Sequence, residues 1–410
     1  MLPPMRKGEI RSLSEIAAGS LAQPGLTARE VHTAVSDRVF RMLGPLAAPI
    51  RVLHDGISAA SYRGVTAAIR APVNAAGRLI AVRAREGSTA IADSPAGGLA
   101  LGALNGIAGD RLARDHPDLV LDLTVRRHGH DVPLSEDGLS KGFPDATPRL
   151  AVFVHGLCGT EDTWRLGSLG ENPSPSYGAQ LRDELGFTPV YVRYNTGLRV
   201  SDNGRRLAAT LDRIATDWPV EVEEIALVGH SMGGLVARSA CHHGEQASHS
   251  WTEPLRHVFC LGTPHLGAPL ERAANVAGWT LSRLPESRPF ADLFFNRRSV
   301  GIKDMRYGNC IDEDWCDCDP DEFLRDRCRE VPFLPTATHY FVGATLTKRP
   351  GGLGRLVGDL LVQYPSASGD GRRRRIPFEL DNGHHLGGAH HLRLLNHPDV
   401  YAQISDWIVR

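Results

Sequence analysis

IALVGHSMGGLVAR, residues 225–238, joins an apolar strand-like run to a helix-like run through the pattern Gly-x-Ser-x-Gly. The serine of such a pattern lies on a sharp turn between a strand and a helix, where flanking glycines avoid side-chain crowding. A glycine-serine turn without chemistry is the alternative, but a strand before and a helix after are the context that the pattern requires. The stretch therefore predicts that Ser231 projects from the end of a strand as a nucleophile.

Short apolar runs alternate with helical segments on both sides of this turn. Runs rich in Val, Ile, Leu, Phe and Tyr predict strands at 119–125, 149–154, 189–194, 224–228, 257–261 and 339–344. Helical spacing predicts helices at 177–185, 203–217, 233–242 and 398–409. Such alternation is typical of an α/β fold with a mostly parallel sheet and helices on both faces.

The chain divides by composition into an N-terminal region, 1–118, and a catalytic domain, 119–410. Apolar residues recur at helical intervals in 31–42 and 59–82, so we expect the N-terminal region to be helical. We expect its apolar faces to pack on the following domain, with peripheral contact to a membrane surface as the alternative. Residues 87–109 are rich in small side chains, which favours some loop there. The long interval at about 268–338 predicts an inserted cap or lid.

A second element of the site follows the predicted strand 149–154. The sequence His155-Gly156-Leu157-Cys158 begins a loop there, and acyl transfer needs two N–H donors at the developing oxyanion. We expect these donors to be the backbone amides of Leu157 and Met232. Cys158 is interpreted as a small packing residue rather than a nucleophile.

A serine nucleophile needs a histidine base and an acid that orients it, in the chain order Ser, Asp or Glu, His on this kind of sheet. Asp359 follows the last predicted strand and is preferred over three alternatives, Asp370, Glu379 and Asp381. His391 precedes the predicted last helix and is preferred over His390. A metal site in the C-terminal histidine cluster is disfavoured because adjacent histidines point apart and no carboxylate pattern accompanies them.

Charge and cysteine content exclude several classes of protein. The 46 Lys and Arg residues balance 47 Asp and Glu residues, so the chain lacks the basic surplus of a nucleic-acid-binding protein. No run approaches the roughly 18–20 apolar residues of a transmembrane segment, and residues 1–25 lack a signal-like apolar stretch, so we expect a cytoplasmic protein. Four cysteines of the predicted cap could form zinc ligands, disulfides or free thiols: Cys310, Cys316, Cys318 and Cys328. We expect no cofactor and no metal. The oligomeric state is not specified by the sequence.

Four segments together, 154–159, 229–235, 262–269 and 391–398, resemble bacterial α/β-hydrolase lipases and esterases, and most closely the branch related to eukaryotic GPI inositol-deacylases. The resemblance covers 119–410. It implies an α/β-hydrolase fold, here with a helical N-terminal extension and an inserted cap, and a catalytic triad of Ser231, Asp359 and His391.

The expected function is hydrolysis of carboxylic esters, of the carboxylesterase or triacylglycerol lipase type, through an acyl-enzyme on Ser231. The substrate is expected to be an ester or lipid small molecule. Acyl transfer and deacylation of a lipid-linked substrate use the same triad and stay open as alternatives. An inactive hydrolase-fold interaction module is the non-enzyme alternative.

Overall fold

The computed structural model describes residues 5–83, 90–168, 175–349, 351 and 357–410. These residues form two compact units. The helical unit comprises the described residues of Met1–Ser94, with Asp115–Leu119 and Ala273–Arg298. The sheet unit comprises Pro95–Arg114 and the described residues of Val120–Arg272 and Ser299–Arg410.

Two long helices dominate the helical unit, α1 (Lys7–Leu43) and α2 (Ala48–Arg83). The short turn between them begins at Gly44, whose φ of 73° favours glycine. The helices pack side by side through aromatic rings, since His54 of α2 lies 5.1 Å from His32 and 5.4 Å from Phe40 between ring centroids. The prediction of a helical N-terminal region is confirmed.

The sheet unit contains eight strands in the order β2-β1-β4-β3-β5-β6-β7-β8. Their bounds are β1 Thr124–Arg127, β2 His130–Val132, β3 Arg149–Val154, β4 Thr188–Arg193, β5 Glu224–His230, β6 Leu255–Leu261, β7 Thr338–Thr345 and β8 Gly383–Gly387. Strands β3 to β8 pair in parallel, whereas β1 runs antiparallel to both β2 and β4. The prediction of a mostly parallel sheet is confirmed.

Helices cover both faces of this sheet. The main ones are α5 (Tyr177–Leu185), α6 (Val200–Asp217), α7 (Met232–Gln246) and α12 (Pro398–Val409). Helix α3 (Pro95–Asp115) instead packs on the loop at Cys158 and Gly159. Shorter or peripheral helices are α4 (Glu136–Gly142), α8 (Pro269–Leu281), α9 (Arg288–Ala291), α10 (Val300–Asp304) and α11 (Tyr364–Ala367).

Alternate residues of β3 enter two separate hydrophobic cores, because successive side chains of a strand point to opposite faces. Leu150 and Val152 belong to the core that includes residues of α6 and α7. Ala151 and Phe153 belong to the core that includes residues of α5 and α12. Burial on both faces explains why the central strands are continuously apolar in the sequence.

The structure differs from the sequence expectations in local detail. The run predicted as a strand at 119–125 is a strand only from Thr124 onward, where it forms a hairpin with β2. Residues 95–109, expected to be partly loop, belong to α3. The strand β8 was not predicted, because its residues, Gly-His-His-Leu-Gly, have little strand propensity and are ordered by pairing with β7.

The interval predicted as a cap, 268–338, is divided between the two units. Ala273–Arg298 belongs to the helical unit, and the residues from Ser299 onward belong to the sheet unit. The domain boundary at 118/119 and the role of this interval as a cap stay predictions. None of the helices in the described ranges combines the length and apolar character that a bilayer-spanning segment needs.

Candidate active site

Ser231 occupies the turn between β5 and α7, with φ of 53° and ψ of −123°. Residues other than glycine rarely adopt such a positive φ, and it costs free energy that the surrounding structure must supply. A Cβ atom on Gly229 would lie 2.6 Å from the Gly234 backbone, and one on Gly233 would lie 2.1 Å from the Val154 carbonyl oxygen. The glycines of the pattern are therefore required by close backbone approach, and they leave Ser231 partly exposed.

A buried acid-base pair consists of Asp359 and His391. The Asp359 carboxylate lies 2.7 Å from His391 Nδ1 through its Oδ2 atom, and the two residues are 1% and 4% exposed. Oδ1 of Asp359 accepts hydrogen bonds from the backbone N–H groups of Leu361 (3.0 Å) and Val362 (2.8 Å). The backbone N–H of His391 also donates to the Asp359 carbonyl oxygen at 3.1 Å. Hydrogen bonds to both carboxylate oxygens and to the backbone carbonyl of Asp359 thus fix the orientation of this residue.

The same contacts determine the chemistry of the imidazole. A carboxylate at Nδ1 keeps the proton on that nitrogen, so Nε2 is the nitrogen that can accept another proton. Nε2 of His391 is buried and has no hydrogen-bond partner among the described residues. One nitrogen of the His391 ring is thus held by Asp359, and the other is available to accept a proton.

Ser231 and His391 both adjoin the end of β6. The backbone N–H of Ser231 donates to the Leu261 carbonyl at 2.7 Å. The next residue, Gly262, lies against the imidazole, because a Cβ there would be 3.0 Å from His391 Cε1. The ring of His230, next to the serine, lies 4.7 Å from the His391 ring between centroids. The nucleophile and the base that the sequence predicts are thus brought to one end of the sheet.

The alternative acids and base lie in other environments. Asp370 has an exposed side chain 4.0 Å from Arg375. Glu379 accepts a hydrogen bond from Asn382 at 3.5 Å. Asp381 and His390 are exposed. Within the described ranges, Asp359 is the carboxylate that contacts His391.

The two amides predicted to bind an oxyanion lie beside Ser231. A Cβ atom on Gly156 would be 3.0 Å from the Ser231 Cβ, which places the start of the Leu157 loop against the serine. The amides after Leu157 are engaged, since Cys158 N–H donates to Thr196 Oγ1 at 3.2 Å and Gly159 N–H to the Gly156 carbonyl at 3.1 Å. No such bond from the Leu157 N–H is found among the described residues. Met232 is the first residue of α7, where a backbone N–H has no partner within the helix.

Helix α3 supports this loop through a row of small residues that the sequence analysis did not recognise. Gly102 packs on the loop so closely that an added Cβ would lie 2.9 Å from the Gly159 carbonyl oxygen. At Gly106 an added Cβ would lie 2.4 Å from Cys158 Sγ. Cys158 itself has a φ of 60°. The available signal was the spacing of four between buried glycines, which places them on one helix face.

Burial keeps the other ionisable groups of the site neutral. Desolvation lowers the pKa of His155 to about 4. Desolvation, and then the nearby charge on His391, hold the pKa of His230 well below its usual range. Desolvation also raises the pKa of the Cys158 thiol, so this residue is a poor thiolate nucleophile. In the described part of the chain, no three His, Cys, Asp or Glu side chains converge into a group that could hold a metal ion.

Exposed aliphatic residues lie next to Asp359 and His391 along the chain or are bonded to that segment. We call the following set the aliphatic rim: Leu346, Val357, Leu360, Leu361 and Leu392, which are 42%, 45%, 63%, 45% and 53% exposed. The rim is continuous in the chain with Asp359 and His391, and Leu346 is tied to it by a 3.0 Å bond from its N–H to the Gly358 carbonyl. Leu360 has a φ of 87°, an unfavourable conformation for leucine. An exposed cluster of this kind marks an interaction site more often than an inert surface.

Residues 146–278 match the family described as the PGAP1-like alpha/beta domain. This segment includes β3 to β6, Leu157 and Ser231 but ends before Asp359 and His391. No curated protein sequence matches the chain.

Solved structures that are distantly similar to this chain include lipases and esterases. The mature form of the Bacillus licheniformis lipase BlEst2 is 20% identical with a TM-score of 0.39, over 64% of this chain and 91% of that one. Its propeptide form is 20% identical with a TM-score of 0.42, over 69% of this chain and 53% of that one. The Pyrococcus furiosus esterase Pf2001 is 14% identical with a TM-score of 0.37, over 64% and 82%.

The strand order and the serine turn define the fold independently of these distant similarities. An antiparallel strand pair at one edge is followed by parallel strands, and the serine turn follows β5, which lies inside the sheet. The chain therefore has an α/β-hydrolase fold, with a segment similar to the PGAP1-like alpha/beta domain.

Proposed function

We propose that this chain hydrolyses carboxylic esters through an acyl-enzyme on Ser231. The observation that carries the proposal is the buried pair of Asp359 and His391, joined at 2.7 Å, beside a serine held at positive φ on a strand-to-helix turn. The pair leaves Nε2 of His391 available to take a proton. Nucleophile, base and acid of a serine hydrolase are recognised by these roles.

The reaction proceeds in two halves. His391 Nε2 takes the proton of Ser231 as the Ser231 Oγ attacks the ester carbonyl, and the N–H groups of Leu157 and Met232 bind the oxyanion. His391 then gives that proton to the departing alcohol, which leaves an acyl group on Ser231. A water molecule, activated by His391 in the same way, releases the acid. Asp359 holds the imidazole and stabilises its positive charge, while the neutral His230 adds no competing charge.

The aliphatic rim supports an acyl chain as the group that the site recognises. Covering exposed leucines with an alkyl chain removes apolar area from water on both sides, at about 25 cal/mol per Å². We therefore favour lipid or long-chain esters over short ones. A lipid-linked ester would use the same rim, and an acyl acceptor other than water would use the same triad.

The experiment that tests the proposal is labelling with a fluorophosphonate probe. Purified wild type is expected to react, and Ser231→Ala is not. Cys158→Ala removes the neighbouring thiol and is expected to label like wild type. Release of free acid from p-nitrophenyl esters then separates hydrolysis from acyl transfer. A folded wild-type protein that does not label, or a Ser231→Ala variant that does, would refute the proposal.

A further inference from the structure

The outward face of α2 in the helical unit carries a long apolar stripe. Eight of its large aliphatic residues are 52–74% exposed, and two of them, Val52 and Ile80, point away from the stripe. The other six form it: Ile50, Leu53, Ile57, Val65, Leu79 and Val82. At about 100° per residue, the six lie within an arc of about 120°. Between Ile50 and Val82 that arc contains no Asp, Glu, Lys or Arg, and its other positions include exposed Ala68, Ala71 and Ala75. It also includes His54, whose ring packs against Phe40 of α1. We call this set the α2 stripe.

The turn end of the helix pair extends the exposed apolar surface. Val35, Val39 and Met42 of α1 are 44%, 48% and 79% exposed, and their spacing of four and three places them on one face. A soluble monomer seldom leaves so many large aliphatic residues exposed on one pair of helices. A partner that accepts apolar side chains is therefore indicated.

The charges beside the stripe favour an anionic surface over a second copy of this chain as its partner. Helix α2 contains five arginines and one acidic residue, Asp55. Arg51 and Arg78 lie about 100° and 80° to either side of Ile50, so arginines border the α2 stripe on both flanks. Their alkyl stems can lie along the apolar surface while the guanidinium groups reach anionic headgroups. A second copy of the stripe would instead bring like charges together.

An arginine-rich cleft of about 1110 Å³ lies beside the turn end within the same unit. Its lining contains five arginines against three acids: Arg29, Arg41, Arg51, Arg283 and Arg288 against Glu30, Asp37 and Asp292. Arg51 pairs with Asp37 at 2.5 Å, whereas the other four arginines have no carboxylate partner among the described residues. Guanidinium groups without a carboxylate partner bind phosphate oxygens well.

We propose that the helical unit docks on an anionic phospholipid surface, with the α2 stripe in the acyl boundary and the flanking arginines at the phosphates. An amphipathic helix lying in the plane of the interface has this combination of apolar stripe and basic flanks. The proposal is independent of the catalytic assignment, because no residue of the sheet unit contributes to it.

Co-sedimentation of the full chain with vesicles tests the proposal. Wild type is expected to sediment with phosphatidylcholine vesicles that contain phosphatidylglycerol, and less with phosphatidylcholine alone. Ile50→Gln/Leu53→Gln/Ile57→Gln is expected to bind roughly tenfold more weakly or worse, because it removes three aliphatic side chains that would enter the acyl boundary of the membrane. Val220→Gln/Val409→Gln, which replaces exposed aliphatic residues of the sheet unit, is the matched control and is expected to bind as wild type.

A second variant, Arg78→Gln, tests the charge on one flank of the stripe without changing apolar surface. It is expected to bind several-fold more weakly, at about 1 kcal/mol per basic residue near an anionic surface, and salt is expected to weaken wild-type binding. Thermal unfolding of each variant by circular dichroism checks that it is folded.

Three results would overturn the proposal. The first is a wild type that does not sediment with the anionic vesicles or sediments equally with neutral ones. The second is a triple glutamine variant that binds as wild type. The third is a wild-type dimer in light scattering that the triple variant converts to a monomer, because a second copy would then cover the stripe.

Discussion

Replacing Asp359 with asparagine should move the ring proton of His391 from Nδ1 to Nε2 while leaving the fold intact. The backbone N–H groups of Leu361 and Val362 donate to Oδ1 at 3.0 and 2.8 Å. They therefore select the carbonyl oxygen of an asparagine for this position. Turning the amide around would lose both bonds, at about 1 kcal/mol each. The NH₂ group is thus directed at His391 Nδ1, which must become an acceptor, and the proton moves to Nε2.

A proton on Nε2 removes the base from the reaction. The expected loss in kcat is about 10⁴, equivalent to about 5.4 kcal/mol in the barrier. KM is expected to change little, because Asp359 is 1% exposed and lies behind the imidazole. The melting temperature is expected to stay close to that of wild type, since the two backbone hydrogen bonds are kept.

Steady-state hydrolysis of a p-nitrophenyl ester measures kcat and KM for Asp359→Asn beside Asp370→Asn. Asp370 is the matched control because it is an acid on the same stretch of chain with an exposed side chain. Its variant is expected to keep wild-type kinetics. Activity of Asp359→Asn within tenfold of wild type would refute the assignment. A large loss in Asp370→Asn would transfer the role of the acid to that residue.

Three further predictions follow from other contacts. Leu360→Gln is expected to lower kcat/KM roughly tenfold for long-chain esters but not for acetate esters, because an exposed rim contact is lost; equal losses on both would contradict acyl-chain binding by the rim. Gly106→Ala places a Cβ 2.4 Å from Cys158 Sγ and is expected to lower kcat by up to about 10²–10³, as for a lost oxyanion donor. The double variant Gly106→Ala/Cys158→Gly removes the clash and should recover much of the lost kcat. Wild-type kinetics in the single variant would exclude support of the loop by α3. Desolvation lowers the pKa of His339 to about 3. Its contribution to the free energy of unfolding is therefore present above pH 6.5 and is lost on acidification, at up to about 1.4 kcal/mol per pH unit. In urea unfolding, His339→Leu should lose less stability than wild type between pH 7 and 5, and an unchanged pH dependence would show that this histidine does not titrate on unfolding.

Local sequence was sufficient for the parts of the fold that depend on neighbouring residues. The turn at Ser231 requires a strand, small residues and a helix in immediate succession, so its signal lies within 14 residues. Continuous apolar runs identified β3, β5 and β6 because these strands are buried on both faces. The preference for Asp359 and His391 came from chain order and resemblance, and the structure joins these two side chains.

Features that depend on distant contacts were not predictable in the same way. Helix α3 is rich in glycine, which lowers intrinsic helix propensity, and it is stabilised by packing against the loop at Cys158. Strand β8 is ordered by β7, which lies about 40 residues earlier. The aliphatic rim is formed by three chain segments, and no single segment is distinctive. In each case the decisive contact joins residues far apart in the chain.

The packing of α3 on the loop at Cys158, which we propose to bind the oxyanion, bears on how small an active fragment of this protein can be. Composition changes near residue 119, and a fragment that begins there would keep Ser231, Asp359, His391 and both proposed amides. It would lose the helix that contacts Cys158 and Gly159. The loop would then be backed by solvent, and Cys158 would have little to hold its positive φ. The minimal active fragment is therefore expected to start no later than Pro95, well before the change in composition near residue 119.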